Sequence, residues 1–593
     1  MQKFQLALTV LLFGVSACQT LAPTTPLPTD TTRASETALP TQTSAPSHTS
    51  FPPTFTSPPP TFTSPPATLT PSLAPTITST PPAGFSVRYH PDGELYVGDQ
   101  VSLEIIAPPQ EDLDLNESQV SVSLIPSGTS LGEVEFGFFG IGGRRQATLT
   151  WAWDTSDLEA GAHSLAFSIQ PQGIDWQQTV TLQSESALPP AQAQAHWAVS
   201  DSDCCLVYYV TETAGERDLS LLLEEVDAQA EDVASLLSPD FSQPITVTLL
   251  PRVLGHGGFA SGEIAVSYLD RNYAGSDVGM VLHHELVHVL DGQLGGELRP
   301  SMLVEGLAVY LTGGHFKPEP LIPRTAALLD SDEQEAVLGL GWYLDLEPLS
   351  DNFYRSQHEI GYLQAGALVE YMVETWGWEA FSDFYRDIRP HPSGESSQAI
   401  SVALEKHFDL SFAQLEERFL EALRQQTVTP DLYDDVRLTV GFFDTARRYQ
   451  QVLDPSAYFL TAWLPSAKEM REREIVADYL RHPTRIENLT LETLLVNADE
   501  HLRAGRYAQT DRSLEAVNAV LDALDQGVPD PFGINPLAET YYSIVEVLLG
   551  NGYQPQRIQI SGGKARVWVS TTPPEVMELE VIMTGEGWEI LGD

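Results

Sequence analysis

Val281 to Leu290 reads V-L-H-H-E-L-V-H-V-L, and within it His284, Glu285 and His288 form a single H-E-x-x-H. On a helix, residues four apart sit one above the other on the same face, so both imidazoles can reach one metal ion while Glu285 lies one step round, placed to hold a water. The flanking residues Val281, Leu282, Leu286, Val287, Val289 and Leu290 are apolar, which predicts a buried helix. Two histidines and a glutamate buried there need polar partners, and a metal ion supplies them.

A catalytic zinc takes three protein ligands and keeps one position open. The next apolar segment, P-S-M-L-V-E-G-L-A-V-Y from Pro300, offers Glu305 as the third. The glycine-containing loop Asp291 to Pro300 lets this second helix fold back on the first. The predicted metal centre is therefore one zinc ion on His284, His288 and Glu305, with Glu285 as general base.

H-H-E-L-V-H-V-L followed by L-V-E-G-L-A-V-Y resembles the gluzincin metallopeptidases, the thermolysin-like group that holds zinc with two histidines and a glutamate. The resemblance covers roughly residues 195–425. It implies peptide-bond hydrolysis by the residues just named, acting on a peptide or protein substrate. It also implies a sheet followed by the zinc helix, with the strand before that helix forming a sheet edge that pairs with substrate backbone; Gly258 to Tyr268 is assigned that role. Further on, Y-L-Q-A-G-A-L-V from Tyr362 is similar to the Y-x-x-G-A-x-V of zinc aminopeptidases, in which the tyrosine supports the tetrahedral intermediate. Tyr362 is thus the matched oxyanion donor, with Tyr354 and His358 as reserves. One departure stands out: where those aminopeptidases carry G-x-M-E-N to bind the substrate amine, this chain reads G-G-F-A-S-G-E. Glu263 fits that place only by a shift, so endopeptidase action is expected.

Other polar residues near the motif have expected places. His283 is one helical step from His284 and is read as packing; His256 and His315 could line the cleft but are read as ordinary surface histidines; Asp291 could accept an imidazole N–H, though that is the lesser of its readings. Cys204 and Cys205 are adjacent, and because a ring joining neighbours is strained they are expected as two small, partly buried thiols. Among the three cysteines there is no zinc-ribbon spacing.

At 593 residues the chain is too long for one core, and its composition divides it. Residues 1–17 carry Lys3 and then an apolar run from Phe4 to Phe13, an export signal. The V-S-A-C that follows resembles a bacterial lipobox, which implies cleavage before Cys18, its lipidation, and anchoring to a lipid bilayer at the cell surface or periplasmic face. Residues 18–84 are almost wholly Thr, Pro, Ser and Ala and cannot bury a core. They read as a polyproline-like stalk spanning on the order of 100 Å or more at roughly 3 Å per residue. Residues 85–185 alternate in short runs such as Q-V-S-L-E-I-I and Q-Q-T-V-T-L between turn residues, which predicts an Ig-like β-sandwich without a disulfide; a spacer is its simplest use. Residues 195–428 make the α+β gluzincin-type peptidase domain, 429–549 a helical domain, and 550–593 a small α+β C-terminal unit of two or three strands. A-D-E-H-L-R-A-G-R-Y-A-Q-T-D-R-S-L-E-A-V resembles one tetratricopeptide-like hairpin, too little for a solenoid.

The formal charge of −50 excludes nucleic acid, whose phosphates would be repelled. No sequence feature signals an oligomer. Two rival readings stay open at this stage: an inert surface binding protein built on a peptidase fold, and a zinc hydrolase of a non-peptide amide. The presence of all three ligands and the base favours an enzyme.

Overall fold

The structure is a computed structural model that describes residues 81 and 84–591, apart from 109–114, 140–143, 238–242, 256, 276, 295, 332–337, 458–466 and 571–574. The expected signal segment 1–17, Cys18, stalk residues 18–80 and His256 lie outside the described residues.

Period-two alternation builds the first layer pair. In strand Ile174–Gln183 the side chains of Trp176, Gln178, Val180 and Leu182 are buried while Asp175 and Gln177 face solvent, as expected for a strand with one covered face. This strand belongs to a five-stranded sheet ordered Leu95–Tyr96, Ile174–Gln183, Gly161–Gln170, Gln119–Ile125, Ser130–Glu135. A four-stranded sheet, Ser86–His90, Gln100–Ile106, Arg144–Asp154, Gly137–Phe139, closes over it, and the two share one core around Val101, Leu103, Trp153, Phe167 and Ile169. Buried Gln178 is satisfied across that core by the Tyr89 hydroxyl, which donates to its Oε1 at 2.7 Å. A register shift opposite Val101 and Leu103 lets Trp151 take φ +41°. Its indole then packs outside the sandwich with Trp197, Met470 and Tyr479.

The region that follows opens with a five-stranded sheet ordered Trp197–Asp201, Cys205–Val210, Ile245–Leu250, Ile264–Ser267, Gly258–Ala260. Its middle three strands run parallel and both outer ones antiparallel. Helix Leu219–Leu237 buries Leu222, Val226, Ala230, Val233 and Leu237, a stripe at helical spacing, in one core with Leu282, Leu286 and Val287 of the motif helix Val278–Leu294. The stretch Gly258 to Tyr268, expected to form one edge strand, is instead a hairpin. Ser261 N donates to Glu263 O at 2.9 Å and Gly262 takes φ +74°, so Gly258–Ala260 folds back as the edge, and Ile264–Ser267, buried at all four positions, becomes internal. Cys204 and Cys205 also differ from expectation, because they form a disulfide. Cys204 lies in the bend before the strand that starts at Cys205, so strand alternation does not force the two side chains to opposite faces.

Helix Ser301–Thr312 lies against helix His358–Trp376. The contact is close because Gly306 has no side chain: a Cβ there would stand 2.5 Å from Ala365 O. This fixes the depth at which Glu305, one residue earlier, meets the motif helix. Beyond Phe412–Arg424, helices Pro430–Leu453, Ile486–Arg503, Tyr507–Asp525 and Pro536–Gly550 pack with a sheet of four antiparallel strands, Gln554–Ser561, Lys564–Ser570, Met577–Met583 and Trp588–Ile590. One core holds them all and also takes in Val253, Tyr273, Ala274 and Phe316. Among the described residues no helix is long and apolar enough to cross a membrane.

Candidate metal centre

Asp277 caps the start of the motif helix, its Oδ1 accepting from Met280 N at 3.1 Å. About two and three turns on, His284 and His288 present their Nε2 atoms to each other at 3.1 Å. Glu305, delivered by the neighbouring helix, places Oε2 at 3.3 Å from His284 Nε2 and 3.1 Å from His288 Nε2. One ligand atom from each of the three residues therefore falls within 4.8 Å of the others. Donors about 2.0–2.1 Å from a tetrahedral zinc stand roughly 3.3 Å from one another, so these three fit the group with little adjustment.

The electrostatics agree. Burial, the largest influence on Glu305, would raise its pKa, but the two imidazoles outweigh it and hold the carboxyl well below its usual range. His284 is held low, first by burial. In His288 burial is outweighed by the charge and hydrogen bond of Glu305, which lift the imidazole above its ordinary value. Glu285 is buried beside this cluster, and burial pushes its pKa up to about 7. The edge strand presses directly on it: a Cβ at Gly258 would lie 3.1 Å from Glu285 Oε1 and 2.2 Å from Val281 Cγ1. Glu285 is thus pinned between its own helix and the sheet edge.

Two tyrosines reach the centre. Tyr354, expected only as a reserve, donates its hydroxyl to Glu305 Oε1 at 2.7 Å, from the short turn Phe353–Arg355 ahead of the packed helix. Tyr362 stands beside the His284 ring, 6.2 Å away between centroids and tilted to it. A charge-assisted bond such as that of Tyr354 orients a ligand, and its loss typically weakens metal binding about 10–100-fold. Tyr354→Phe is expected to weaken zinc affinity by that factor when titrated against a chelator of known strength, and an unchanged affinity would remove the hydroxyl from the site.

His315 is no surface histidine. It stacks on Tyr362 at 4.4 Å between centroids, and its Nδ1 meets Glu359 Oε2 at 2.9 Å. The signal available was the T-G-G-H turn directly after the Glu305 helix. His358 joins the same stack, 4.9 Å from His315. His283 points the other way, its Nδ1 at 2.8 Å from Gln229 Oε1. Asp291 does not receive an imidazole: its Oδ2 accepts from Arg299 Nε at 3.0 Å and from the Tyr385 hydroxyl at 2.8 Å. His288 Nδ1 finds no hydrogen-bond partner among the described residues.

No family model matches this sequence, and no curated protein is similar to it. Among solved structures, a match is found to native yeast LTA4 hydrolase at 10% identity and a TM-score of 0.28, covering 76% of this chain and 88% of that one. Another is found to an aminopeptidase N family protein from Idiomarina loihiensis at 10% identity and a TM-score of 0.24, covering 59% and 78%.

Proposed function

We propose that this chain is a zinc-dependent metallopeptidase of gluzincin type, acting as an endopeptidase. The observation that carries the reading is the convergence of His284 Nε2, His288 Nε2 and Glu305 Oε2 within 4.8 Å, with buried Glu285 beside them. Zinc, when bound by these three residues, supplies a Lewis acid that polarises the scissile carbonyl. Glu285 takes a proton from the attacking water and passes it to the leaving amine, a task suited to a carboxyl near neutrality. The free edge Gly258–Ala260 aligns substrate backbone by strand addition. Tyr362 donates to the developing oxyanion, and Tyr354 orients Glu305.

Endopeptidase action is supported by the fate of Glu263. Its carboxylate is paired with Arg471 at 2.6 Å and is nearly buried, which leaves it poorly placed to bind a substrate amine. The export signal at 1–17, lipidation at Cys18 and the stalk at 18–84 complete the proposal as a surface-tethered lipoprotein, with the sandwich at 85–185 as an Ig-like spacer.

The full chain is expected to carry one zinc and to cleave a denatured protein mixture. Chelation should abolish that cleavage, and added zinc should restore it. Cleavage that persists once zinc has been stripped below a tenth of an equivalent would overturn the reading.

A further inference from the structure

The edge Gly258–Ala260 is the outer arm of a hairpin that is held from both faces of the sheet. On one face Gly258 presses on Val281 of the motif helix. The other face is turned away from that helix. Tyr208, Thr248 and Ala265 stand in register on three neighbouring strands, and Tyr208 and Ala265 pack with Met470 and Tyr479, whereas Val247 and Ile264 pack with the motif helix. Glu263, two residues before Ala265, falls on this second face at the turn of the hairpin.

Residues 467–481 lie across that face. From helix Ala467–Glu472, Arg471 sets its guanidinium over the Tyr208 ring at 4.2 Å from the centroid and donates to Thr248 Oγ1 at 2.7 Å. It also grips both oxygens of Glu263, at 2.6 Å to Oε2 and 3.2 Å to Oε1. A fork onto a carboxylate fixes orientation as well as distance, and here the two side chains are only 10% and 12% exposed. The support is itself anchored. Trp197 Nε1 donates to Ile475 O at 2.9 Å. Arg252 Nη1 donates to the carbonyl oxygens of Asp478 and Arg481 at 3.2 and 3.0 Å, and Arg481 Nη2 donates to Asp99 Oδ1 of the sandwich at 2.9 Å. A three-residue arm paired on one side only holds its direction weakly by itself; the fork at its turn supplies the missing constraint.

We propose that Arg471 is a positioning residue for substrate: by gripping Glu263 it holds the edge Gly258–Ala260 where an extended peptide can pair with it beside Glu285. The proposal rests on the metallopeptidase reading and adds to it a control element outside the sheet and the helices of the metal centre. Pairing along the edge is made alike in the bound substrate and in the transition state, so its loss raises KM and leaves kcat nearly unchanged. Damage to the metal centre would lower kcat instead.

The test compares the zinc-loaded full chain with Arg471→Met, whose apolar stem still covers Tyr208, and with Glu263→Gln. Two peptides share one cleaved bond, one long enough to run the length of the edge and one cut back to the residues flanking the bond. Expected for each variant is a KM about tenfold higher on the long peptide at nearly unchanged kcat and zinc content, with little change on the short one. The double variant should be no worse than the worse single one, since both remove the same interaction. Hydrogen exchange at the amides of residues 258–263 should quicken about tenfold in Arg471→Met while the motif helix stays as protected as in the parent. Where Arg471→Met does not fold, Glu263→Gln carries both measurements. A KM equal to the parent's, an equal loss on both peptides, or unchanged exchange in the hairpin overturns the proposal alone. No cleavage of any peptide by the zinc-loaded parent overturns the metallopeptidase reading and the proposal with it.

Discussion

Glu285→Gln is expected to keep one zinc per chain and to lower kcat/KM for peptide hydrolysis by about 10²–10⁴-fold, the usual worth of a positioned general base. The amide matches the carboxylate in shape, so the packing against Gly258 and Val281 survives. The ligand atoms of His284, His288 and Glu305 are untouched, which is why metal content should hold. What is lost is the capacity to accept a proton at the one buried carboxyl whose pKa burial has moved to about 7. Zinc content and initial rates measured on the same preparation separate the two effects. Turnover equal to the parent's would remove Glu285 as the base, and a parallel loss of zinc would show that the substitution had broken the site.

Arg324→Met is expected to destabilise the fold by about 3–5 kcal/mol, because it strands buried carboxylates without their counter-charge. Arg324 is fully buried. Its Nε stands 2.8 Å from Glu319 Oε2, its Nη1 pairs with Asp435, and its Nη2 lies 3.8 Å from Glu359 Oε1. Lys317 shares Asp435, and His315 shares Glu359. Burial, the largest influence, already raises the Glu319 pKa against the pull of Arg324. Because Asp435 lies on helix Pro430–Leu453, this cluster also joins the region around the metal centre to the helical one. The shift of the first urea-unfolding midpoint, scaled by its slope, reads the cost. A change below about 1 kcal/mol would mean that the carboxylates are neutral or solvated and that the network is not what holds the joint.

Particular residues show where the sequence was legible. His284, His288 and Glu285 were readable because helical periodicity alone puts them on adjoining faces, and Glu305 because it heads the next apolar segment. The Gly258 to Tyr268 stretch was misread as one strand, since an apolar I-A-V-S run looks the same at an edge as inside a sheet; the turn at Ser261 to Glu263 decides which residues are exposed. His315 was read as a surface residue because the T-G-G-H turn sets it next to the Glu305 helix without fixing whether the ring faces water or the cleft. Its position follows from Glu359, 44 residues on, which holds the ring. Tyr354 was held only as a reserve oxyanion donor, and its bond to Glu305 joins residues 49 apart.

The sequence by itself determined the chemistry on offer. It supplied two imidazoles and a carboxyl at helical spacing, a further carboxyl after a short loop, a strongly acidic composition, and alternating runs that pair into sheets. These are local properties, set by backbone periodicity and side-chain polarity within a few turns. Only the tertiary structure decided which hydroxyls reach Glu305, which histidines line the cleft, what neutralises Glu319 and Asp435, and that Arg471 reaches Glu263. Those pairings depend on how helices from separate segments pack at side-chain resolution, and that packing is fixed by the whole core at once.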